Sequence, residues 1–138
     1  GELVAETYFK EGVRDGLWQE WFENGQKGFE GYFIDGQEHG KFTTWYRNGQ
    51  KKWERTYNYG KEEGISSTWF ISGQKSSQGE FKEGLENGRF VAWYPTGQLE
   101  FERFYTMGQP DGQFTKYTKE GEVEWIQYYR DGKLVDNP

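Results

Sequence analysis

The sequence predicts an all-β fold, an elongated single-layer antiparallel β-meander of stacked 24-residue hairpin repeats. Three observations carry that expectation. Seventeen of the 20 glycines fall on one 24-residue ruler: Gly12, Gly36, Gly60, Gly84, Gly108 and Gly132; Gly16, Gly40, Gly64, Gly88 and Gly112; Gly1, Gly25, Gly49, Gly73, Gly97 and Gly121. A constant period of this size marks one supersecondary unit copied head to tail. The same ruler carries Trp21, Trp45, Trp69, Trp93 and Tyr117 in register, a repeated chemistry that favours a binding surface over a single active site. Lastly, 33% of the chain is hydrophobic but 20% is aromatic, so few aliphatic side chains remain to fill a globular centre. A thin body follows, and the wealth of rings separates it from disordered chains, which are poor in them.

The chain reads as one repeat domain, 1–138. A half unit (1–11) precedes five full units (12–35, 36–59, 60–83, 84–107 and 108–131), and a stub (132–138) follows. Each unit holds two strand-like runs, Leu17 to Phe22 and Gln26 to Phe33 in the first, without helical periodicity. Between them stand Glu23-Asn24-Gly25, Arg47-Asn48-Gly49, Ile71-Ser72-Gly73, Pro95-Thr96-Gly97 and Lys119-Glu120-Gly121. Ser72, Thr96 and Glu120 resist the positive φ of a two-residue type I′ turn, and Pro95 suits the first inner position of a type I turn. A three-residue loop with glycine in the left-handed bulge position satisfies both. The second turn, Ile34-Asp35-Gly36 and its copies, is expected to follow the same grammar.

That loop sets a register in which Phe22 faces Gln26, Trp21 faces Lys27 and Gln19 faces Phe29. Trp21 then shares a face with Phe29 and Phe33, Trp45 with Trp53 and Tyr57, and Trp93 with Phe101 and Tyr105. The opposite face, where Trp18, Phe42 and Phe90 mix with Gln26, Gln50, Gln98, Glu30, Glu54 and Glu102, is expected to be wetter. One hairpin cannot bury enough surface to stand alone, so stability must come from stacking against neighbours.

Acidic and basic residues, 23 against 17, give a net charge of −6, which argues against nucleic acid or anionic lipid, since both need concentrated positive charge. A charged partner should be basic. There is no cysteine for a disulfide or thiolate site and no apolar run long enough for a transmembrane helix. The chain starts in mid-repeat without an initiator Met, as a mature or trimmed piece would.

The pattern Gly-x3-Gly-x-aromatic-x2-Trp-aromatic-x-Asn-Gly-Gln-Lys, at Gly12 to Lys27 and again at Gly36 to Lys51, resembles the MORN repeat. It resembles specifically the bacterial variant with Asn-Gly-Gln turns, the YwqK-type antitoxin-like repeats. The resemblance spans the chain. It implies an extended, twisted single sheet that mediates protein interaction, with lipid contact or self-association in some members and no catalytic motif. It also implies a bacterial protein, cytoplasmic or, where a signal was removed, exported or at the cell envelope. The fifth unit departs most, with Tyr117, Thr118, Glu120 and Glu122 in place of Trp, an aromatic, Asn and Gln, and reads as a terminal cap.

The candidate partner-binding residues are Trp21, Trp45, Trp69, Trp93 and Tyr117, read either as packing alone or as a groove for a peptide, a protein edge or a glycan. The readings overlap, because a single-layer sheet has no second layer to cover an aromatic face. The third unit holds three aromatics where its neighbours hold six: Ser66 stands where other units have Trp18, Phe42, Phe90 and Phe114, and Ser77 where they have Phe29, Trp53, Phe101 and Trp125. This is either degeneration of one repeat or a notch for a partner's side chain, floored by Trp69 and Phe70, with the two serine gaps on opposite faces. The lone His39 has no partner for a metal site or a triad, and the row Glu6, Glu30, Glu54 and Glu102 reads as a solvated, partly Arg-paired ladder. The expectation is a non-enzymatic module without cofactor that binds a protein, with an antitoxin or immunity-like role. Carbohydrate or cell-wall binding is the alternative. The first strand, Leu3 to Phe9, carries one charge and invites weak homodimerisation through an end.

Overall fold

The computed structural model describes residues 4–136. Gly1, Leu3 and the last two residues of the stub lie outside them. The half unit contributes β1 (Val4–Glu6), β2 (Phe9–Lys10) and β3 (Val13–Arg14). The first unit then gives β4 (Gly16–Trp21), β5 (Lys27–Ile34) and, across the boundary, β6 (Gln37–Glu38). The pattern of six-residue strand, eight-residue strand and two-residue strand recurs as β7 (Gly40–Trp45), β8 (Lys51–Asn58) and β9 (Lys61–Glu62), then β10 (Gly64–Trp69), β11 (Lys75–Lys82) and β12 (Leu85–Glu86). It continues through β13 (Gly88–Trp93), β14 (Leu99–Thr106), β15 (Gln109–Pro110), β16 (Gly112–Tyr117) and β17 (Val123–Arg130), and ends at β18 (Lys133–Val135).

The long strands form one antiparallel sheet in the order β1-β4-β5-β7-β8-β10-β11-β13-β14-β16-β17-β18, and the short β6, β9, β12 and β15 fold back on β5, β8, β11 and β14. Among the described residues there is no helix, so none long and apolar enough to cross a membrane. The accessible surface is 8569 Å². A globular chain of this mass exposes roughly 7,500 Å², so the excess measures the elongation.

The first turn of each unit is the three-residue loop read from the sequence: the Phe22 N–H donates to Gln26 O at 2.8 Å and the Gly25 N–H to Phe22 O at 2.9 Å, with Gly25 at φ 85°. The second turn is different, and the expectation of a shared grammar is corrected. Ile34 pairs with Gln37, leaving two loop residues, Asp35 and Gly36, both at positive φ (47° and 82°), as a type I′ turn requires. Glu11, Tyr59, Glu83, Met107 and Asp131 take the same left-handed conformation, which costs of order 1 kcal/mol or more for such residues unless neighbours hold it. They are held. The backbone N–H of Asp35, Tyr59, Glu83, Met107 and Asp131 donates to the side chain of Asp15, His39, Glu63, Asn87 and Asp111 respectively, at 2.8–3.4 Å. The glycine that follows donates to the backbone of the preceding unit, as Gly36 does to Arg14 O at 2.7 Å.

The register also needs correction, and with it the sharing of faces. Trp21 faces Lys27 as expected, but Glu20 pairs with Phe29 and Gln19 with Glu30, because a bulge leaves Gly28 unpaired. One extra residue reverses every side chain beyond it. The same shift recurs in all five units. Trp21, Trp45 and Trp93 therefore lie on the face opposite to Phe29, Trp53 and Phe101. Trp18, Phe42 and Phe90, expected on the wetter side, join the rings instead.

One face, the ring face, carries Trp18, Phe29 and Phe33, then Phe42, Trp53 and Tyr57, and beyond the third unit Phe90, Phe101, Tyr105, Phe114 and Tyr129. Its rings meet edge to face: Phe29–Phe42 at 5.8 Å and 84°, Phe33–Phe42 at 5.3 Å and 69°, Phe90–Tyr105 at 5.2 Å and 74°. Such pairs add about 0.5–1.5 kcal/mol each beyond area burial. Phe33, Phe42 and Phe114 are buried by neighbouring rings and by the strands beneath. Gly31 explains how close the packing is: a Cβ there would stand 2.8 Å from the Phe42 ring, which lies across the bare backbone. The other face, the ladder face, carries Trp21, Trp45, Trp69, Trp93 and Tyr117 above buried Thr43, Ser67, Val91 and Thr115.

Candidate binding surface

The tryptophan ladder is half-buried throughout and is set among charges. Lys51 and Lys75 lie beside the Trp69 ring, each with its ammonium 5.6 Å from the ring centre. Glu30 pairs with Lys27 at 3.2 Å, Glu54 with Lys51 at 2.8 Å and Lys41 at 3.6 Å, and Glu102 with Arg89 at 2.5 Å. The carboxylate row is thus an ion-paired row. Burial opposes the charge of Glu54, but the hydrogen bond from Lys51 and the charges of Lys51 and Lys41 together outweigh it and hold the carboxyl below its ordinary range. In the third unit Gln78 replaces the glutamate and accepts from Lys75 at 2.8 Å.

Phe70 sits in the first turn of the third unit, where its N–H donates to Gln74 O at 2.8 Å. The equivalent Tyr46 and Tyr94 reach across to the next unit and donate to Trp69 O at 2.8 Å and Tyr117 O at 2.7 Å. Lys116 adds a hydrogen bond to the Tyr94 hydroxyl at 2.6 Å, tying the fifth unit to the fourth. At the turn tips Asn24 and Asn48 donate to the next turn, at Arg47 O and Ile71 O, 3.1 and 3.0 Å away.

On the ring face, the third unit opens a gap. Ser66 pairs with Gly79 and Thr68 with Ser77, so Ser66 and Ser77 stand on one face, not on opposite faces as the unbulged register implied. Trp69 belongs to the other face and does not floor the gap. Among the described residues, ring contacts stop at Trp53 and Tyr57 and resume at Phe81–Phe90, 5.4 Å apart. Between them lies a cavity of about 270 Å³ lined by Arg55, Ser66, Thr68, Ser77, Phe81, Phe90 and Phe101. Thr68 shares hydrogen bonds with Ser76 and Ser77 at 2.6 and 2.5 Å, closing the polar floor on itself. The Arg55 guanidinium stacks on Trp53, 4.5 Å from the ring centre, and its Nε stands 3.7 Å from Glu62 Oε1.

Glu62 pairs with Tyr57 across β8 and β9 and stands beside Arg55. Burial pushes its carboxyl above the ordinary range, against the opposing pull of Arg55 and a hydrogen bond from Ser66, with Glu86 adding to the rise. Its Oε1 accepts no hydrogen bond, and Trp18 Nε1, Thr44 Oγ1 and Arg103 Nε are likewise buried without a partner. All four lie along the ring face or at its margin. Unsatisfied buried polar groups cost about 1–3 kcal/mol each, and these four are closed off from the surface, so the cost falls on the fold itself. His39 is a turn acceptor whose ring contacts Tyr59 at 4.5 Å, and no cluster of three potential metal ligands occurs among the described residues.

Three segments, 14–35, 38–59 and 86–106, match the family model described as MORN repeat variant. They coincide with the first, second and fourth units, the ones with six aromatics each. No curated protein matches the chain. The single-layer meander of hairpins is the architecture this repeat implies, and repeats of this kind are typically non-catalytic binding modules.

Proposed function

We propose that this chain is a non-enzymatic repeat scaffold that binds another protein through its aromatic surfaces, in the manner of an antitoxin or immunity-like partner. The observation that carries the reading is that a single-layer sheet leaves its ring face, broken in the third unit, with no second layer to cover it. On the ladder face Trp21, Trp45, Trp69, Trp93 and Tyr117 supply the contacts in which binding energy concentrates, with Trp69 central, and Phe70 adds to them from the first turn of the third unit. Ser66 and Ser77 shape the ring-face gap.

The test is a protein captured from the native host, purified, and titrated against variants. Trp69→Ala is expected to leave the thermal midpoint within a few degrees of wild type while weakening the captured partner by about 2 kcal/mol or more. Destabilisation of about 3–5 kcal/mol with unaltered affinity of the folded fraction assigns Trp69 to packing alone. The outer edge of β1, exposed along Val4–Glu6, supports a weak end-to-end dimer as well. Sedimentation that stays monomeric up to millimolar concentration removes that part.

A further inference from the structure

Neighbouring hairpins meet along seams, and the chain itself closes each seam at one margin only. At the third, between the third and fourth units, it crosses at the second turn, where Lys82 pairs with Leu85 and Phe81 with Glu86. Strand pairing runs on through Gln78 with Val91 and Ser77 with Ala92, and stops short of the first turns. At the other seams side chains latch that open mouth. Asn24 donates to Arg47 O at 3.1 Å across the first, and across the second Asn48 donates to Ile71 O at 3.0 Å and the Tyr46 hydroxyl to Trp69 O at 2.8 Å. Across the fourth the Tyr94 hydroxyl donates to Tyr117 O at 2.7 Å. The third seam has Phe70 in the tyrosine position, which carries no hydroxyl, and Ser72 in the asparagine position, whose single oxygen accepts from Gln74 N of its own turn at 3.3 Å. Among the described residues no side-chain hydrogen bond closes its mouth.

Two further observations single out the same seam. A cation lies over a ring across each of the others, Arg47 over Phe22 at 5.7 Å, Lys51 over Trp69 at 5.6 Å and Lys116 over Tyr94 at 5.0 Å, and among the described residues none does so across the third. The first turns also stand farther apart there. A Cβ on Gly73 or Gly121 would lie 2.9 Å from the glutamine of the preceding turn, Gln50 or Gln98, and one on Gly49 would lie 3.4 Å from Gln26, but one on Gly97 would lie 3.8 Å from Gln74. The ring pair that does span the third seam, Phe81 with Phe90 at 5.4 Å, sits towards its closed end. We propose that the third seam is a hinge, with its pivot at the turn from Lys82 to Leu85 and its mouth between Trp69 and Trp93, about which the first three units and the last two turn as rigid pieces. A boundary fixed at one margin and free at the other swings, and its few exposed bonds place it at the low-stability end of the fold. The motion changes the gap between Trp69 and Trp93 and leaves the spacing of ladder residues within each piece unaltered, so one ladder face presents a range of curvatures. The hinge stands independently of what that face binds.

The chain has no cysteine, so nitroxide labels go only where they are placed. Arg47→Cys with Lys119→Cys puts a pair along the first-turn margin, spanning the second, third and fourth seams, and Gln37→Cys with Gln109→Cys spans the same seams along the second-turn margin. All four positions are exposed. Each pair lies three units apart, about 29 Å at six strand spacings, within reach of double electron–electron resonance. The distance distribution between positions 47 and 119 is expected to be about twice as broad as that between 37 and 109, the excess being motion at the mouth. Phe70→Tyr with Ser72→Asn, which copies the latch of the second unit, is expected to narrow the first distribution to the width of the second. Phe70→Tyr alone serves if the double variant does not fold. Equal widths along the two margins overturn the hinge, and so does a broad first-turn distribution that the restored latch leaves unchanged.

Discussion

The second and third units have the same length, the same turns and the same bulge, yet one is a continuous layer of rings and the other an interruption in it. In the second unit Phe42 touches Phe29, Phe33 and Tyr57. In the third the equivalent position is Ser66, and among the described residues the ring pair its side chains make is Phe81 with Phe90. The sheet passes through both without a break, since Thr68 pairs with Trp53 behind and Ser77 with Ala92 ahead. Backbone pairing and ring packing are therefore separable here. The hairpin ladder carries the architecture, and the rings can be thinned locally for another use.

The comparison breaks most visibly at its most buried ring. Phe42→Ala is expected to cost about 3–5 kcal/mol in urea unfolding, and Phe81→Ala, half-buried with one ring neighbour, distinctly less. Equal costs at the two sites mean that the third unit is as tightly packed as the second.

Next in size is Gly79→Ala. The added Cβ must displace Phe90 from 2.1 Å, against 2.8 Å from Phe42 for Gly31→Ala. Overpacking of this kind costs about 1–3 kcal/mol, and the thermal midpoint should fall further for Gly79→Ala. The reverse order shows that Phe90 has space to withdraw into, which the cavity beside it then supplies.

The two units also differ in how their carboxyls titrate. Glu54 is held below its ordinary range, so its contribution to stability is present above the unfolded value and is lost as pH falls through the folded one. Glu62 is pushed above its range, so its contribution is present below the unfolded value and is lost as pH rises through the folded one. Stability measured across the acidic range in Glu54→Gln and Glu62→Gln should therefore depart from wild type with opposite slopes. Parallel profiles place both groups in the same environment and remove the contrast.

The smallest effect sharpens the comparison at the turn tips. Asn48 bonds forward to Ile71 O, whereas Ser72 only accepts from Gln74 N at 3.3 Å. Ser72→Asn is expected to restore a forward bond to the fourth unit and raise stability by about 0.5–1.5 kcal/mol, read as a shift in denaturation midpoint.

The period and the three-residue turn were legible because glycine and proline constrain backbone in ways that survive in any neighbourhood. The assignment of faces was not. It depended on a bulge at Gly28, whose equivalents are Lys52, Ser76, Glu100 and Glu124, residues with nothing in common that a bulge demands. The type I′ turns were hidden for a related reason. Tyr59 and Met107 are poor candidates for positive φ on their own, and what holds them is an acceptor 20 residues earlier. The candidate gap was found in the wrong geometry: Ser66 and Ser77 stood out by comparison with other units, but only the true register puts them together and brings Arg55 and Glu62 beside them.

Those acceptors are Asp15, His39, Glu63, Asn87 and Asp111, four residue types doing one job at one spacing. Each joint between neighbours is built wholly from residues within one period of each other, and it asks only for a lone pair at a set place. An insertion or loss of 24 residues would therefore leave every remaining joint complete. The molecule is a ribbon that can be lengthened or shortened by whole links, with the reach of its surface changing in equal steps and no other part needing to adjust.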